Sequence, residues 1–473
     1  MAKKKYKFID LFAGLGGFHI ALEELGHKCV FASELREDLK QLYHTNFPEL
    51  PSKYIEGDIT KVDLEKIPVH DILCAGFPCQ PFSQAGLQRG FGDEGRGNMF
   101  DYICDIIRIK KDKKPTILLL ENVANLQGHD GGRTWEIIKN KLDDLGYWVK
   151  AAILSPHQFG YPQHRKRIYI VGLRKDKGNL ESFNFPIEHK ESLCNINSII
   201  NYEDINIQIL KLETHRQLKV WQSFLTQTAK HGGPLPSFPV WAMEFGAKYP
   251  YKEKATYRLT SEDLLGKPGK LGQIIDGRTF EEQIKQLPVY AQPSSRCKGD
   301  HFPDWKIRYI ERNREFYEKH KLWLEKWIEN IRTWDNSFQK LEWNCGSNEE
   351  ANLYDKIIQF RASGIRVKQP TWSPALNLVG SQVPILPWIQ LPKECIPAYS
   401  KKELSAYGLT RDDVSRGRYL SVREAAKLQG MESLSFEGLT LTRAYEALGN
   451  AVNTQVVQKI AEVIINHYQN GRN

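Results

Sequence analysis

Between Tyr6 and Gly26 the chain reads YKFIDLFAGLGGFHIALEELG. An apolar run passes into a group of three glycines, Gly14, Gly16 and Gly17, and then straight into an amphipathic stretch. That succession suits a buried strand, a sharp turn where missing Cβ atoms let a ligand come close, and a helix laid back on the strand. Ile20, Leu22 and Leu25 mark the apolar side of the helix and Gly26 its end. A chain that opens this way is committed to an α/β fold.

The same rhythm continues to about residue 175. KCVFASE, HDILCAG, PTILLLENV and RKRIYIVGL read as strands, and REDLKQLYHTNF, FDYICDIIRIKKDKK and TWEIIKNKLDDLG as helices between them. This predicts a doubly wound parallel sheet over residues 1–175, with ligands expected at the carboxyl ends of its strands. From 176 to 415 the alternation dissolves into proline- and aromatic-rich stretches such as HGGPLPSFPVW and QPTWSPALNLVGSQVPILPW. Inside that region Phe316, His320, Trp323, Trp327, Ile331 and Trp334 recur at helical spacing, which predicts a packing face rather than a base-stacking one. Over 416–473, SVREAAKLQGM and AYEALGNAVNTQVVQKIAEVIINHY regain helical periodicity.

Composition removes several classes. Of the 473 residues 41% are hydrophobic and 26% charged, the balance of a globular enzyme rather than a disordered chain. The longest apolar run, TILLLENV, is broken by Glu121 and falls far short of a bilayer span, so no membrane partner is expected. The basic start MAKKKYKFIDLF enters the glycine loop with no cleavage-like site and reads as the first strand, not a signal peptide. Eight scattered cysteines contain no CxxC pair and no zinc-like Cys/His cluster, so the expectation is free thiols, no metal and a cytoplasmic location. The net charge of +9 permits a polyanionic partner without requiring one.

Four stretches carry chemistry. In FIDLFAGLGGF the glycines are spaced GxGG, not the GxGxxG of a nicotinamide dinucleotide loop, which disfavours an oxidoreductase. Glu34, at the end of the second strand, is placed where an acid holds ribose hydroxyls, so a nucleoside-containing cofactor is favoured over a plain packing turn. In AGFPCQPFSQAG, Cys79 follows a strand and lies between Pro78 and Pro81. A lone cysteine is ordinarily a small core residue, and Cys74 inside the strand reads that way. Cys79 instead has polar neighbours, and the glycine-rich 84–97 segment after it suits a lid. Glu121 ends an otherwise apolar strand, where burial would raise its pKa and let it donate a proton; pairing with a helix end is the plainer alternative. Arg165 and Arg167, two apart on an extended chain, point the same way and suit a carboxylate, a base carbonyl or phosphates.

In this order, DLFAGLGGF (10–18), GDIT (57–60), GFPCQPFS (76–83), ENV (121–123), QHRKRIYIVG (163–172), RYLSVREAAKLQGM (418–431) and LGNAV (448–452) resemble the DNA cytosine-5 methyltransferases of the prokaryotic restriction-modification type. The resemblance covers about the first 175 and last 55 residues. It implies a Rossmann-like S-adenosylmethionine-dependent catalytic domain (1–175), a smaller irregular target-recognition domain (176–415) and a C-terminal segment (416–473) that completes the catalytic domain. It implies that the Cys79 thiolate adds to C6 of a flipped-out cytosine in double-stranded DNA, that Glu121 engages N3 and the exocyclic amine, and that Arg167 and Arg165 hold the base carbonyl and Glu121. S-adenosylmethionine, leaving as S-adenosylhomocysteine, would meet Phe12, Gly14, Gly16, Gly17, Glu34, Asp58, Ile59, Pro78 and Asn450. Leu35 stands where the family can carry a second stacking aromatic. The resemblance further implies a monomer that works independently of any cognate restriction endonuclease. Two rivals share the fold, an RNA (tRNA) cytosine-5 methyltransferase and a catalytically silent DNA-binding protein. PTWSPALNLVGSQVP is the candidate DNA-facing loop, with a packed linker as the alternative.

Overall fold

The computed structural model describes residues 4–78, 99–294, 299–376 and 382–471, and the chain divides into two compact units. One comprises Met1–Ile200, Thr371–Gly380 and Val422–Asn473, the other Asn201–Pro370 and Ser381–Ser421.

The first unit begins β1 (Lys7–Leu11), α1 (Gly17–Glu24), β2 (Lys28–Ser33), α2 (Glu37–Asn46), β3 (Ile55–Glu56) and β4 (Ile72–Gly76). It continues α3 (Met99–Ile109), β5 (Ile117–Val123), α4 (Arg133–Asp144), β6 (Tyr147–Leu154), β7 (Gln163–His164) and β8 (Arg167–Arg174). Seven strands form one sheet in the order β3-β2-β1-β4-β5-β8-β6. From β3 to β5 every pairing is parallel. The expectation of a wholly parallel sheet needs correction, because β8 runs antiparallel to both β5 and β6. The connection from β6 to β8 holds only a 3-10 turn and the short β7, with no helix to carry the chain back across the sheet. The edge strand β6 was not foreseen: Trp148 and Ile153 are exposed, so YWVKAAIL lacks a clean apolar face.

Alternation along the strands sends Ile9, Leu11, Leu73, Ala75, Leu118, Leu120, Ile168 and Ile170 to one side. There they meet Phe100, Ile103, Ile106 and Ile107 of α3 and Ile138 and Leu142 of α4. Asp10, Cys74 and Glu121 point to the opposite face, on the side where Phe18 of α1 comes up against Leu119 and Tyr169.

The second unit contains α5 (Leu212–Lys230), β9 (Val240–Trp241), α6 (Ser261–Leu264), α7 (Phe280–Ile284), α8 (Asp304–Ile328), β10 (Lys340–Asn344), β11 (Ile357–Arg361) and β12 (Gly364–Lys368). After β13 (Ser373–Pro374), which pairs with β7 in the first unit, it resumes as β14 (Ile385–Gln390), α9 (Lys401–Ala406), α10 (Arg411–Val414) and β15 (Arg416–Tyr419). Its six strands are ordered β15-β14-β11-β12-β10-β9. One face of the sheet contributes Leu341, Trp343, Ile358, Ile365 and Val367 to a core with Trp221 and Phe224 of α5. The tryptophan stripe packs into that core, as its spacing predicts. Trp327, Ile331 and Trp334 are buried in it, and the Phe224 ring lies 5.7, 5.6 and 5.0 Å from those of Phe316, Trp323 and Trp327.

The chain closes in the first unit with α11 (Val422–Gln429), α12 (Leu441–Asn450) and α13 (Thr454–Asn470). The periodic run over 444–468 is therefore two helices, not one. Asn453 accepts a bond from the Val456 N–H at 3.0 Å, and this N-cap starts α13 afresh. Helix α13 lies against α1, where Gln458 donates to Glu24, and its Tyr468 ring sits 6.3 Å from that of Tyr6. Among the described residues, no helix is long and apolar enough to cross a membrane.

Candidate active site

The glycine loop leaves β1 through left-handed backbone at Phe12 (φ 56°), Gly14 (φ 55°) and Gly16 (φ 82°), and Gly16 caps α1. A Cβ on Gly16 would strike the Phe47 ring at 2.5 Å. Gly17 is needed for another reason: a Cβ there would overlap the Val452 carbonyl oxygen, so the helix start and the 451–453 break touch backbone to backbone. Around Gly14 the space is open. The Gly14 N–H donates to Glu34 Oε2 at 2.8 Å and the Arg36 N–H to Glu34 Oε1 at 3.0 Å. Glu34 thus fastens the loop to the end of β2, and each carboxylate oxygen keeps a lone-pair direction for a hydroxyl.

Asp58 sits beyond β3 and caps a 3-10 turn, accepting from the Thr60 N–H at 3.0 Å and the Thr60 hydroxyl at 2.8 Å. Ile59 beside it is buried in the core that α3 covers, and Phe12 packs partly against the same core. Asn450 is the last residue of α12 and is exposed.

The strand ends carry the second group of residues. Glu121 on β5 lies in register with Gly76 on β4 and Tyr169 on β8 and is 7% exposed. Its Oε1 pairs with Arg167 Nε at 3.1 Å. Burial raises the Glu121 pKa against the opposing pull of Arg167 and Arg165, so the carboxyl is set toward holding a proton. Arg165 goes elsewhere. It is 2% exposed, donates from Nη2 to the Ala451 carbonyl at 2.9 Å, and leaves Nε and Nη1 buried without a hydrogen-bond partner. Burial, then the neighbouring Arg167, lowers its pKa to about 10. Pro78 follows β4 and is exposed. Cys79, and with it the whole 84–97 stretch expected as a lid, lies outside the described residues.

Three contributors are not singled out as site residues by the sequence. Asn122 donates to the Phe77 carbonyl at 2.9 Å and so ties the end of β5 to the chain entering Pro78. Ser155 accepts from the Arg165 N–H at 2.9 Å. Val452 presents its carbonyl to Gly17, and its Cγ2 lies 3.0 Å from where a Cβ on Gly76 would be. Residues 451–452 therefore touch the glycine loop, the end of β4 and Arg165 together. Asn122 could have been suspected as a polar residue directly after Glu121, whereas a backbone carbonyl leaves no sequence trace.

Among the described cysteines, burial raises the thiol pKa of Cys29, Cys74, Cys104 (to about 12), Cys194 and Cys345 (to about 12). None of these five environments favours a thiolate. His19, Glu23 and Glu49 bring possible ligand atoms within 4.8 Å of one another. His19, however, is a packed residue: its Nδ1 is 2.7 Å from the Tyr43 hydroxyl and its ring stacks on Phe47 at 3.9 Å.

The sequence is 48% identical to the Type II methyltransferase M.HhaI of Haemophilus parahaemolyticus over 180 residues, 38% of this chain and 52% of that protein. It is 50% identical to the Type II methyltransferase M.SsoII of Shigella sonnei over 184 residues, 38% of this chain and 46% of that protein. These matches span about half the length of either relative. The Type II methyltransferase M.AluI of Cellulosimicrobium cellulans is 29% identical over 97% of this chain and 92% of its own length. The family model for C-5 cytosine-specific DNA methylase matches residues 6–466, and the chain belongs to that family.

Proposed function

We propose that the protein is a DNA cytosine-5 methyltransferase that modifies a flipped-out cytosine within a short duplex sequence, as the modification enzyme of a restriction-modification system. The observation that carries this reading is the Glu121–Arg167 pair at the carboxyl end of β5, two strands from a glycine loop clamped by Glu34.

S-adenosylmethionine fits the residues present. The open space at Gly14, the free lone pairs of Glu34 and the Asp58 turn form one edge suited to a nucleoside and an amino-acid tail. Phe12, Gly16, Gly17, Ile59, Pro78 and Asn450 complete the proposed cofactor group. When bound, the cofactor supplies an electrophilic methyl group. The protein must then make C5 of cytosine nucleophilic. Cys79 bonds to C6, and the electron pair displaced onto the ring gives C5 enamine character. Glu121, raised by burial, holds a proton at N3 and accepts from the exocyclic amine, so negative charge does not build up on the ring. Arg167 keeps Glu121 in place, and the unpartnered N–H groups of Arg165 suit the base carbonyl. After transfer the C5 proton leaves to a base, the C6–S bond breaks, and the ring regains aromaticity with Cys79 released.

Target choice falls to the second unit under this reading, and extrusion of the base costs a few kcal/mol. The test is incubation with methyl-labelled S-adenosylmethionine and either genomic DNA or tRNA. Label in DNA, mapped by bisulfite sequencing to one short motif, is the expected result. Label confined to tRNA would overturn it.

A further inference from the structure

The other face of the second unit's sheet is buried at β9, where Trp241 joins a core, and along β11, and turns polar along β10 and β12. Register places Lys340, Glu342 and Asn344 of β10 beside Gly364, Arg366 and Lys368 of β12, and these beside Arg361, Gln359 and Ile357 of β11. Four cations share that face with one carboxylate. Glu342 is used twice, by Arg361 Nη2 at 2.6 Å and by Arg366 Nε at 3.1 Å, so it orients both guanidinium groups and neutralises one. The other nearby acids, Glu349 and Asp355, are taken by Lys356. Among the described residues, no ion pair or hydrogen bond holds the ammonium group of Lys340 or of Lys368. Lys340 is held over the rings of Tyr290 and Trp241 at 4.9 and 5.6 Å. Gln359 is buried and donates to the Gln382 carbonyl, so the face is open along β10 and β12 rather than β11.

Half-buried ammonium groups are costly to keep, and the one carboxylate that acts on Lys340, Glu342, is already shared with Arg361 and Arg366. Burial lowers the pKa of both, and Lys368 is pushed further down by Arg366 and Arg361, Lys340 by Lys306. A polyanion laid on the face would supply the missing charge. Arg366 and Lys368, two apart on β12, repeat at about 6.6 Å, and Lys340 lies on β10 beside Gly364, one repeat further along, so the three cations are strung along the sheet rather than gathered into a pocket for one small anion.

We propose that Lys340, Arg366 and Lys368, with Arg361 behind them, form a docking track for the phosphodiester backbone of duplex DNA. The track holds the duplex without reading its sequence. Base recognition then falls to other parts of the unit. The proposal rests on the DNA-methyltransferase reading.

The experiment measures binding of the full-length protein to short duplexes of sheared genomic DNA, and to tRNA, over a potassium chloride series. The variants are Arg366→Gln/Lys368→Gln, Lys340→Gln, Lys368→Arg, and Lys230→Gln as an exposed control outside the face. The double variant is expected to lower the slope of log affinity against log salt by about 0.9 for each phosphate that is no longer neutralised. Affinity should fall alike for duplexes that are methylated and those that are not. Lys340→Gln should lower the slope by a smaller amount, while Lys368→Arg, which keeps the charge, and Lys230→Gln should leave it as in the wild type. Unchanged slopes in the double variant and Lys340→Gln, or slopes that fall only with tRNA, overturn the proposal. If the double variant does not fold, Lys340→Gln against Lys230→Gln decides alone. Methyl transfer by the wild type is scored separately: label in DNA with unchanged slopes defeats the track, while altered slopes without label defeat the function.

Discussion

Glu121 and Arg167 are held together at a strand end where water is scarce, and the carboxyl leans toward its protonated form. Glu121→Gln keeps the shape and one donor but cannot exchange a proton. Methyl transfer, measured with labelled cofactor at saturating DNA, should drop about 10²- to 10⁴-fold. The two cysteines on either side of the β4 exit allow a sharper comparison. Cys74 is wholly buried, in register with Asp10, and its thiol is pushed far up by burial. Cys74→Ala should therefore retain turnover within a few-fold, at a stability cost of about 1 kcal/mol for a small loss of core volume. Cys79→Ser should abolish transfer while calorimetry still detects cofactor binding. Equal losses in the two variants would contradict the nucleophile assignment.

Among elements, the tightest constraint is the backbone contact between α1 and the break ahead of α13. Gly17→Ala pushes a methyl group against the Val452 carbonyl and the Met431 side chain. It should destabilise by about 1–3 kcal/mol and weaken cofactor binding more than a surface alanine would, as read by thermal melting with and without S-adenosylmethionine. The strands and helices around this point were legible because their apolar residues repeat at clear periods, and β1, α1, β2, β4 and β5 lie where those periods put them. Strand direction was not legible. An apolar run such as RKRIYIVGL looks the same in either orientation, so the antiparallel β8 could not be told from a parallel one. Nor were the Val452 carbonyl and the Ala451 acceptor for Arg165, since both are backbone atoms. The candidate site was legible only as residue types at strand ends. The different partners of the two arginines, Glu121 for Arg167 and the Ala451 carbonyl for Arg165, came from the fold.

For the whole molecule, the pH response follows from buried histidines in both units. Burial holds the pKa of His19 at about 3 and those of His70 and His215 at about 4. Each folded-state value lies below the ordinary 6.5, so between those limits the unfolded chain binds protons that the folded chain refuses. Stability is then full above pH 6.5 and is lost as pH falls toward 4. Raised carboxyls such as Glu121 and Asp10 act in the opposite sense and soften the fall. Calorimetric melting from pH 7 to pH 4 should show the midpoint dropping. In His70→Gln the dependence should be shallower by up to about 1.4 kcal/mol per pH unit. A variant that tracks the wild type throughout would show that folding leaves the His70 pKa unshifted.

The return of Thr371–Gly380 to the first unit bears on how such a chain could be recombined. Residues 201–421 look like one removable cassette, yet β13 within them supplies the partner strand for Gln163–His164, next to Arg165. A graft that exchanges the whole cassette sets a foreign strand beside Gln163–His164. A graft that leaves 371–380 behind must bring in the donor as two segments instead of one. If target choice sits in the second unit, as proposed, inheritance of a new specificity would favour donors whose short returning strand is interchangeable, however different the rest of the cassette had become.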